Sequence, residues 1–136
     1  MIYAGQQQSG VECVADIRAR YDGAKRSPFD EAECGHHYAR AMASWAAVLA
    51  MTGFNYSGVT KTMTFAPREG QFFWSNGYAY GSCSLKRTAK GMNVDLAVLQ
   101  GQLDLSRFLL RGLGEMKFGE TLLIRAGERV KFVVTP

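Results

Sequence analysis

The chain has 136 residues, of which 47% are hydrophobic and 21% charged, so it is long enough to bury a core as one domain and lacks the composition of a disordered protein. Its net charge of +4 arises from lysines and arginines that are dispersed along the sequence, which argues against a nucleic-acid partner. The most apolar run, residues 42–51, is too short to cross a bilayer, and no transmembrane segment is predicted.

The cysteines indicate a reducing compartment. Cys13, Cys34 and Cys83 are widely spaced and form no Cys-x-x-Cys pair, and the N-terminal residues contain no apolar signal-peptide core. We therefore expect reduced thiols and a cytoplasmic protein.

Two helices are predicted in the first part of the chain. Between residues 11 and 21, apolar side chains recur at three- and four-residue steps, and Asp22-Gly23 follows as a stop. A second helix is predicted over residues 36–51, with Gly53 at the position of a left-handed C-cap. Its alanines cover most of the circumference, which is typical of a helix packed among several neighbours.

After Gly53 the apolar period changes from 3.6 to 2, as in VTKTMTF at residues 59–65, and strands are predicted. Asn76-Gly77 predicts a hairpin with a type I′ turn over residues 72–81. Two further hairpins are predicted around Gln100-Gly101 and Ala126-Gly127. Six to eight short strands indicate an antiparallel, sandwich-like or barrel-like unit. The predicted fold class is α+β, with helical residues 1–53 followed by an antiparallel β region over residues 54–136.

The segment DEAECGHHYAR, residues 30–40, is unusually dense in reactive side chains. Cys34, His36 and His37 are potential zinc ligands, but adjacent histidines on a helix point about 100° apart and no metal-ligand spacing is present. A Cys34 nucleophile would need a histidine base at hydrogen-bond distance, which sequence neighbours seldom provide. We predict no metal and no cofactor.

The carboxylates of the same segment fit sugar binding better than catalysis. Glycoside hydrolysis requires two carboxyl groups on opposite sides of the scissile bond, whereas these come from one short stretch. A carboxylate that accepts hydrogen bonds from hydroxyl groups, with a guanidinium that donates to their oxygens, would clamp a sugar, and Glu31 and Arg40 are the candidates. The alternative is that the carboxylates only stabilise the positive end of the second helix.

The run RYDGAKRSPFDEAECGHHYARAMASWAAVLAMTGF, residues 20–54, resembles the C-terminal part of the catalytic domain of glycoside hydrolase family 116, which includes non-lysosomal glucosylceramidase and bacterial β-glucosidases. The family pattern is R-Y-D-G, then N-P-W/F-N-E-x-E-C-G-x-x-Y-A-R-x-M-A-S-W/Y. Residues 10–19 and the segment FAPREGQFFWSNGYAYGSCS, residues 65–84, also resemble it. Asp30 departs from the pattern, since Asn is common there.

The resemblance implies an (α/α)6 barrel and retaining hydrolysis of β-glucosides. It places Glu31 and Arg40 as the pair that binds glycone hydroxyls, while the nucleophile and the acid/base belong to earlier parts of the domain. The chain would then be a C-terminal fragment without catalytic residues of its own, inactive alone. Its expected partners are a β-glucoside or other carbohydrate and the remainder of the barrel or a second copy.

Two other hypotheses stay open. The chain could be a stand-alone carbohydrate-binding module in which Trp74, Tyr78 and Tyr80 form a stacking platform, although a half-buried hairpin also explains these aromatic residues. It could also be a protein-interaction module that associates through exposed apolar helix faces.

Overall fold

The computed structural model describes residues 1–26 and 41–136, the side chains of residues 41–45 excepted. The chain divides into two compact units, Met1–Met51 and Thr52–Pro136. The described elements are a 3-10 turn (Ile2–Ala4), two helices, α1 (Gln7–Arg18) and α2 (Ala41–Thr52), and seven strands, β1 (Asn55–Ser57), β2 (Thr62–Phe65), β3 (Gly70–Ser75), β4 (Ala79–Thr88), β5 (Gly91–Leu110), β6 (Gly114–Arg125) and β7 (Arg129–Val134). Two helices and a strand-rich sheet confirm the α+β class.

Helix α1 begins four residues before the predicted start and ends three residues before Tyr21. Its one buried residue is Gly10, which the side chain of Ile2 covers. The chain leaves the helix through an Asx turn, in which Asp22 Oδ1 accepts hydrogen bonds from the backbone N–H groups of Ala24 (3.0 Å) and Lys25 (2.8 Å). The predicted stop at Asp22-Gly23 is therefore this turn, in which Asp22 lies four residues after Arg18, the last residue of α1.

Helix α2 matches the second predicted helix over the part that the structure describes, and residues 36–40 of the prediction lie outside it. Gly53 has φ +69°, as a left-handed C-cap requires. The carbonyl of Thr52 accepts a hydrogen bond from Ala66 N at 2.9 Å, which ties the start of the second unit to the end of β2.

The second unit is a curled seven-stranded sheet organised by one long strand, β5. Residues 91–101 of β5 pair with β4, and residues 92–97 also pair with β7. Residues 102–110 pair with β6, and residues 107–110 also pair with β2. We call the two halves the first arm (β3, β4, β7 and the N-terminal half of β5) and the second arm (β1, β2, β6 and the C-terminal half of β5).

The prediction of a hairpin at Gln100-Gly101 is wrong, because β5 runs straight through this dipeptide. The buried residues of β5 change phase there, from Met92, Val94, Leu96 and Val98 to Leu103 and Leu105. Leu99 is left out of the pairing with β4, where the register shifts, and it is 58% exposed. A β-bulge thus keeps the apolar face inward while the strand passes from one arm to the other.

The prediction of an all-antiparallel unit is also wrong, because β2 pairs with β5 in parallel. Parallel neighbours need a crossover connection, and the β3–β4 hairpin with the first half of β5 provides one. Periodicity alone does not report strand direction, so the sequence carried no signal for this pair.

The third predicted hairpin, at Ala126-Gly127, is a turn between strands that do not pair with each other. β6 pairs with the second half of β5 and β7 with the first half. The turn is bonded to β5 instead, through Ala126 N to the Gly101 carbonyl (3.0 Å) and Gly127 N to the Val98 carbonyl (2.9 Å). It therefore fastens the bulged stretch of β5 from the side opposite β4.

Aromatic rings join the arms. Phe65 of β2 lies 6.4 Å from Phe72 of β3, and Phe108 of β5 lies 5.1 Å from Phe132 of β7, measured between ring centroids. Val94 and Leu96 of β5 are buried, whereas Leu49 of α2 and Val130 and Phe132 of β7 are half-buried.

Replacing Gly101 with alanine is expected to destabilise the β unit by about 3 kcal/mol or more. Gly101 has φ +80°, and an added Cβ would lie 2.1 Å from the Tyr78 carbonyl oxygen, so strain and a backbone collision add together. Gly127→Ala is the matched control, because Gly127 has φ +85° but open space around it, and about 1–2 kcal/mol is expected. Equal losses of unfolding free energy in the two variants, measured by urea unfolding, would contradict the close approach of the Tyr78 carbonyl to Gly101.

Cys83 on β4 is expected to resist thiol reagents. It is fully buried, and burial, followed by the nearby charge of Asp95, raises its pKa well above the ordinary value. In a variant with Cys13→Ser and Cys34→Ser, labelling should be at least about a hundredfold slower than in the unfolded chain and should follow unfolding of the β unit. Rapid labelling without denaturant would show that the core around β4 is open.

Candidate carbohydrate-binding site

The predicted glycone pair, Glu31 and Arg40, lies outside the described residues, as do the other side chains of residues 30–40. Their roles stay predictions. The described residues nevertheless contain a surface groove with polar and aromatic lining, and it lies in the β unit.

The predicted platform of three aromatic side chains is wrong in one member. Trp74 is completely buried, where its indole lies 6.4 Å from the ring of Phe54, and its Nε1 has no hydrogen-bond partner among the described residues. Tyr78 is 88% exposed and Tyr80 is 44% exposed. Tyr80 contacts Phe73 at 6.2 Å between ring centroids, so Tyr78 alone presents its ring fully to solvent.

Tyr78 borders a groove of about 670 Å³ between the tips of two hairpins. One wall is the β1–β2 turn, the other is the β3–β4 turn, and the floor is the part of β5 that passes from the first arm to the second. We call it the Tyr78 groove. Its lining residues are Tyr56, Gly58, Asn76, Tyr78, Gly101, Gln102 and Asp104.

The β3–β4 turn holds Tyr78 by a side-chain cap. Asn76 Oδ1 accepts hydrogen bonds from the backbone N–H groups of Tyr78 (2.9 Å) and Ala79 (2.8 Å), and Asn76 N donates to the Ala79 carbonyl (3.1 Å). The hairpin was predicted correctly, but its turn is not type I′, because only Gly77 of the dipeptide has positive φ. Asn76-Gly77 therefore occupies the first and second positions of the four-residue turn and not its two central positions. Gly77-Tyr78 forms the centre of the turn.

The floor of the groove depends on Gly101. Because the Tyr78 carbonyl approaches so closely that no Cβ fits there, the β3–β4 turn lies directly against β5. Gln102 and Asp104 follow on β5 and, being two residues apart, lie on the same face of the strand, while Leu103 between them is buried.

The β1–β2 turn is fastened to the same stretch of β5. The Tyr56 hydroxyl donates to the Asp104 carbonyl at 2.6 Å, and Lys61 Nζ lies 3.4 Å from Asp104 Oδ2. The Lys61 carbonyl accepts from Ser106 N (2.9 Å) and Arg107 N (3.3 Å), and Lys61 itself has φ +50°. These contacts set the width of the groove.

The chemistry of the lining favours binding over hydrolysis. Asp104 supplies the one carboxylate among the lining residues, whereas the two-carboxylate mechanism needs a second across the bond. Lys61 offsets the charge of Asp104, and the remaining polar side chains are two neutral amides and two phenols. Such a surface suits an uncharged ligand with many hydroxyl groups.

A second cavity of about 470 Å³ lies over the first arm, beside Asp95 and Lys131. One oxygen of its carboxylate is already engaged, because Asp95 Oδ2 lies 3.2 Å from Arg129 Nη1 and 3.6 Å from Lys131 Nζ, while Oδ1 is buried with no hydrogen-bond partner among the described residues. It offers no exposed ring, and we regard it as part of the ionic surface of β5 and β7.

Comparisons with known proteins add no family: no model of a protein family matches the chain, and a search of curated proteins finds no relative. Among the described residues, no group of three or more His, Cys, Asp or Glu side chains is placed to hold a metal ion. In the same part of the chain, no helix has both the length and the apolar character needed to cross a membrane.

Replacing Tyr56 with phenylalanine is expected to lower the free energy of unfolding by about 1 kcal/mol, because it removes a part-buried hydrogen bond to Asp104. Tyr78→Phe is the control, since Tyr78 is exposed, and a change within about 0.5 kcal/mol is expected. Urea unfolding measures both.

Burial, followed by the charge of Asp104, raises the pKa of Tyr56 above its ordinary value of 10.0. The contribution of the Tyr56 hydroxyl to the free energy of unfolding should therefore be fully present below pH 10 and decline as the pH rises through the folded-state pKa. Equal stabilities of Tyr56→Phe and Tyr78→Phe would contradict the hydrogen bond.

Proposed function

We propose that the chain is the C-terminal part of a retaining glycoside hydrolase of the β-glucosidase and glucosylceramidase type. In this proposal it supplies glycone-binding residues, Glu31 and Arg40, and leaves the nucleophile and the acid/base to the rest of the enzyme. The observation that carries the proposal is the run of residues 20–45, in which R-Y-D-G is followed by E-x-E-C-G-x-x-Y-A-R-x-M-A-S-W.

The chemistry of this pair suits a terminal glucose. The carboxylate of Glu31 accepts hydrogen bonds from two hydroxyl groups, and the planar guanidinium of Arg40 donates to hydroxyl oxygens of the same ring. Both side chains hold the sugar in place while bond cleavage is carried out by carboxylates elsewhere.

The described helices support a larger helical assembly. Three apolar side chains of α1 remain exposed, Val11 (38%), Val14 (39%) and Ile17 (46%), and on α2 Val48 is 42% exposed. Helices that leave apolar side chains exposed gain stability by packing against further helices, as the members of an (α/α)6 barrel do. We assign residues 1–53 to such a barrel.

The remaining assignments are part of the same proposal. Residues 54–136 form a sandwich-like C-terminal unit, which the ring contacts between the two arms support. A cytoplasmic location agrees with the free thiols of Cys13 and Cys83. The stand-alone carbohydrate-binding module is the competing function, and the exposed ring of Tyr78 favours it.

In the reading frame extended upstream to include the barrel, Glu31→Ala and Arg40→Ala are each expected to lower kcat/KM on an aryl β-glucoside. The expected loss of transition-state stabilisation is about 2–4 kcal/mol for each variant. Each truncation strands the charged partner and removes hydroxyl contacts from the transition state. Glu33→Ala is the matched control in the same segment and should retain most of the activity.

The 136-residue chain assayed alone is expected to show no turnover. Unchanged kcat/KM in full-length Glu31→Ala, together with lost activity in Glu33→Ala, would reverse the assigned roles. An upstream sequence that encodes no barrel would contradict the hydrolase proposal and leave the stand-alone carbohydrate-binding module.

A further inference from the structure

We propose that the Tyr78 groove is a saccharide-binding subsite separate from Glu31 and Arg40. A pyranose ring stacks on the side chain of Tyr78, and Asn76, Gln102 and Asp104 bind its hydroxyl groups. The inference stands on the described β unit and holds whether or not the chain belongs to a hydrolase.

The position of the Tyr78 ring favours stacking on a sugar. It is 88% exposed although it lies in a turn whose backbone is fixed at both ends, by Asn76 Oδ1 at the Tyr78 N–H and by the contact of its carbonyl with Gly101. The face of an aromatic ring is electron-rich and apolar, so it pairs with the C–H bonds on one face of a pyranose. Little backbone order is lost on binding to a turn that is already rigid.

Polar side chains lie beside that ring. Asn76 uses Oδ1 for the turn, which leaves its amide N–H groups to donate to a ligand. Among the described residues, the side-chain amide of Gln102 has no hydrogen-bond partner, and it offers both a donor and an acceptor. Asp104 adds a carboxylate held in place by Lys61 at 3.4 Å.

The charges of the groove select the class of ligand. Asp104 disfavours phosphates and other anions, and Lys61 beside it disfavours cations. An uncharged polyhydroxyl compound meets neither penalty, and it uses both the donors and the acceptors of the lining.

The shape of the groove favours an oligosaccharide. Its volume of about 670 Å³ lies within the usual range of small-molecule sites, and it is open between the two hairpin tips. Tyr56 and Lys61 fasten one wall to β5, and Gly101 fits the other against it, so the width does not depend on the ligand.

The test is a titration of the 15N-labelled 136-residue chain with cellotetraose and, separately, with maltotetraose, followed by amide chemical shifts. Binding of either sugar should shift amides of residues 76–79 and 101–104. Tyr78→Ala should weaken that binding at least about fivefold, which corresponds to a lost stacking contact. Gln102→Ala should weaken it about two- to fivefold.

Tyr80→Ala is the matched control, because Tyr80 lies on the same hairpin but outside the groove, and its affinity should equal that of the unchanged protein. Preserved spectra of Tyr78→Ala establish that the fold is intact. No binding of either sugar, an unchanged affinity in Tyr78→Ala, or an equal loss in Tyr80→Ala would overturn the proposal.

Discussion

The β unit depends on the passage of β5 from the first arm of the sheet to the second. At this point the strand must keep its apolar side chains inward while its partners change from β4 and β7 to β6 and β2. The bulge at Leu99 and the left-handed backbone of Gly101 accomplish this change. The turn at Ala126-Gly127 contacts Val98 and Gly101, and the carbonyl of Tyr78 also lies against Gly101. The passage of β5 between the arms and the Tyr78 groove therefore depend on the same residues.

The sequence predicted the elements better than their connections. Alternation over residues 59–65 located strand β2, and Asn76-Gly77 located a hairpin correctly. It failed at Gln100-Gly101, because a phase change next to a glycine has the same pattern in a turn and in a bulge. Only the competition between partners on both sides of β5 decides between the two, and that competition is a tertiary effect. The parallel pairing of β2 was inaccessible for the same reason.

The candidate site was predictable in part. The aromatic cluster around residues 74–80 pointed to the correct hairpin, but alternation could not tell that Trp74 faces the core while Tyr78 stands in the turn. Gln102 and Asp104 gave no signal in the sequence, since they join the site only through the bend of β5. A search for polar residues spaced two apart after a glycine inside a strand would have found these two residues. The sequence gives no reason to choose them over other pairs with the same spacing.

The two proposals, for residues 20–45 and for the Tyr78 groove, describe different contributions to carbohydrate recognition. In the first proposal Glu31 and Arg40 form a charged clamp for the hydroxyl groups of one terminal sugar, and in the second proposal the groove offers a stacking surface to a longer chain. They lie in different units of the protein, and each is described and tested by itself.

The continuity of β5 is tested most directly by cross-strand nuclear Overhauser effects in the 136-residue chain. The account predicts contacts from Gly101 to Ala79 and from Gln102 to Arg125, together with slow hydrogen exchange at Ser106 N, which is bonded to Lys61. Contacts between residues 94–99 and 102–107, with fast exchange at 100 and 101, would show a local hairpin. That result would contradict both the passage of β5 from one arm to the other and the Tyr78 groove.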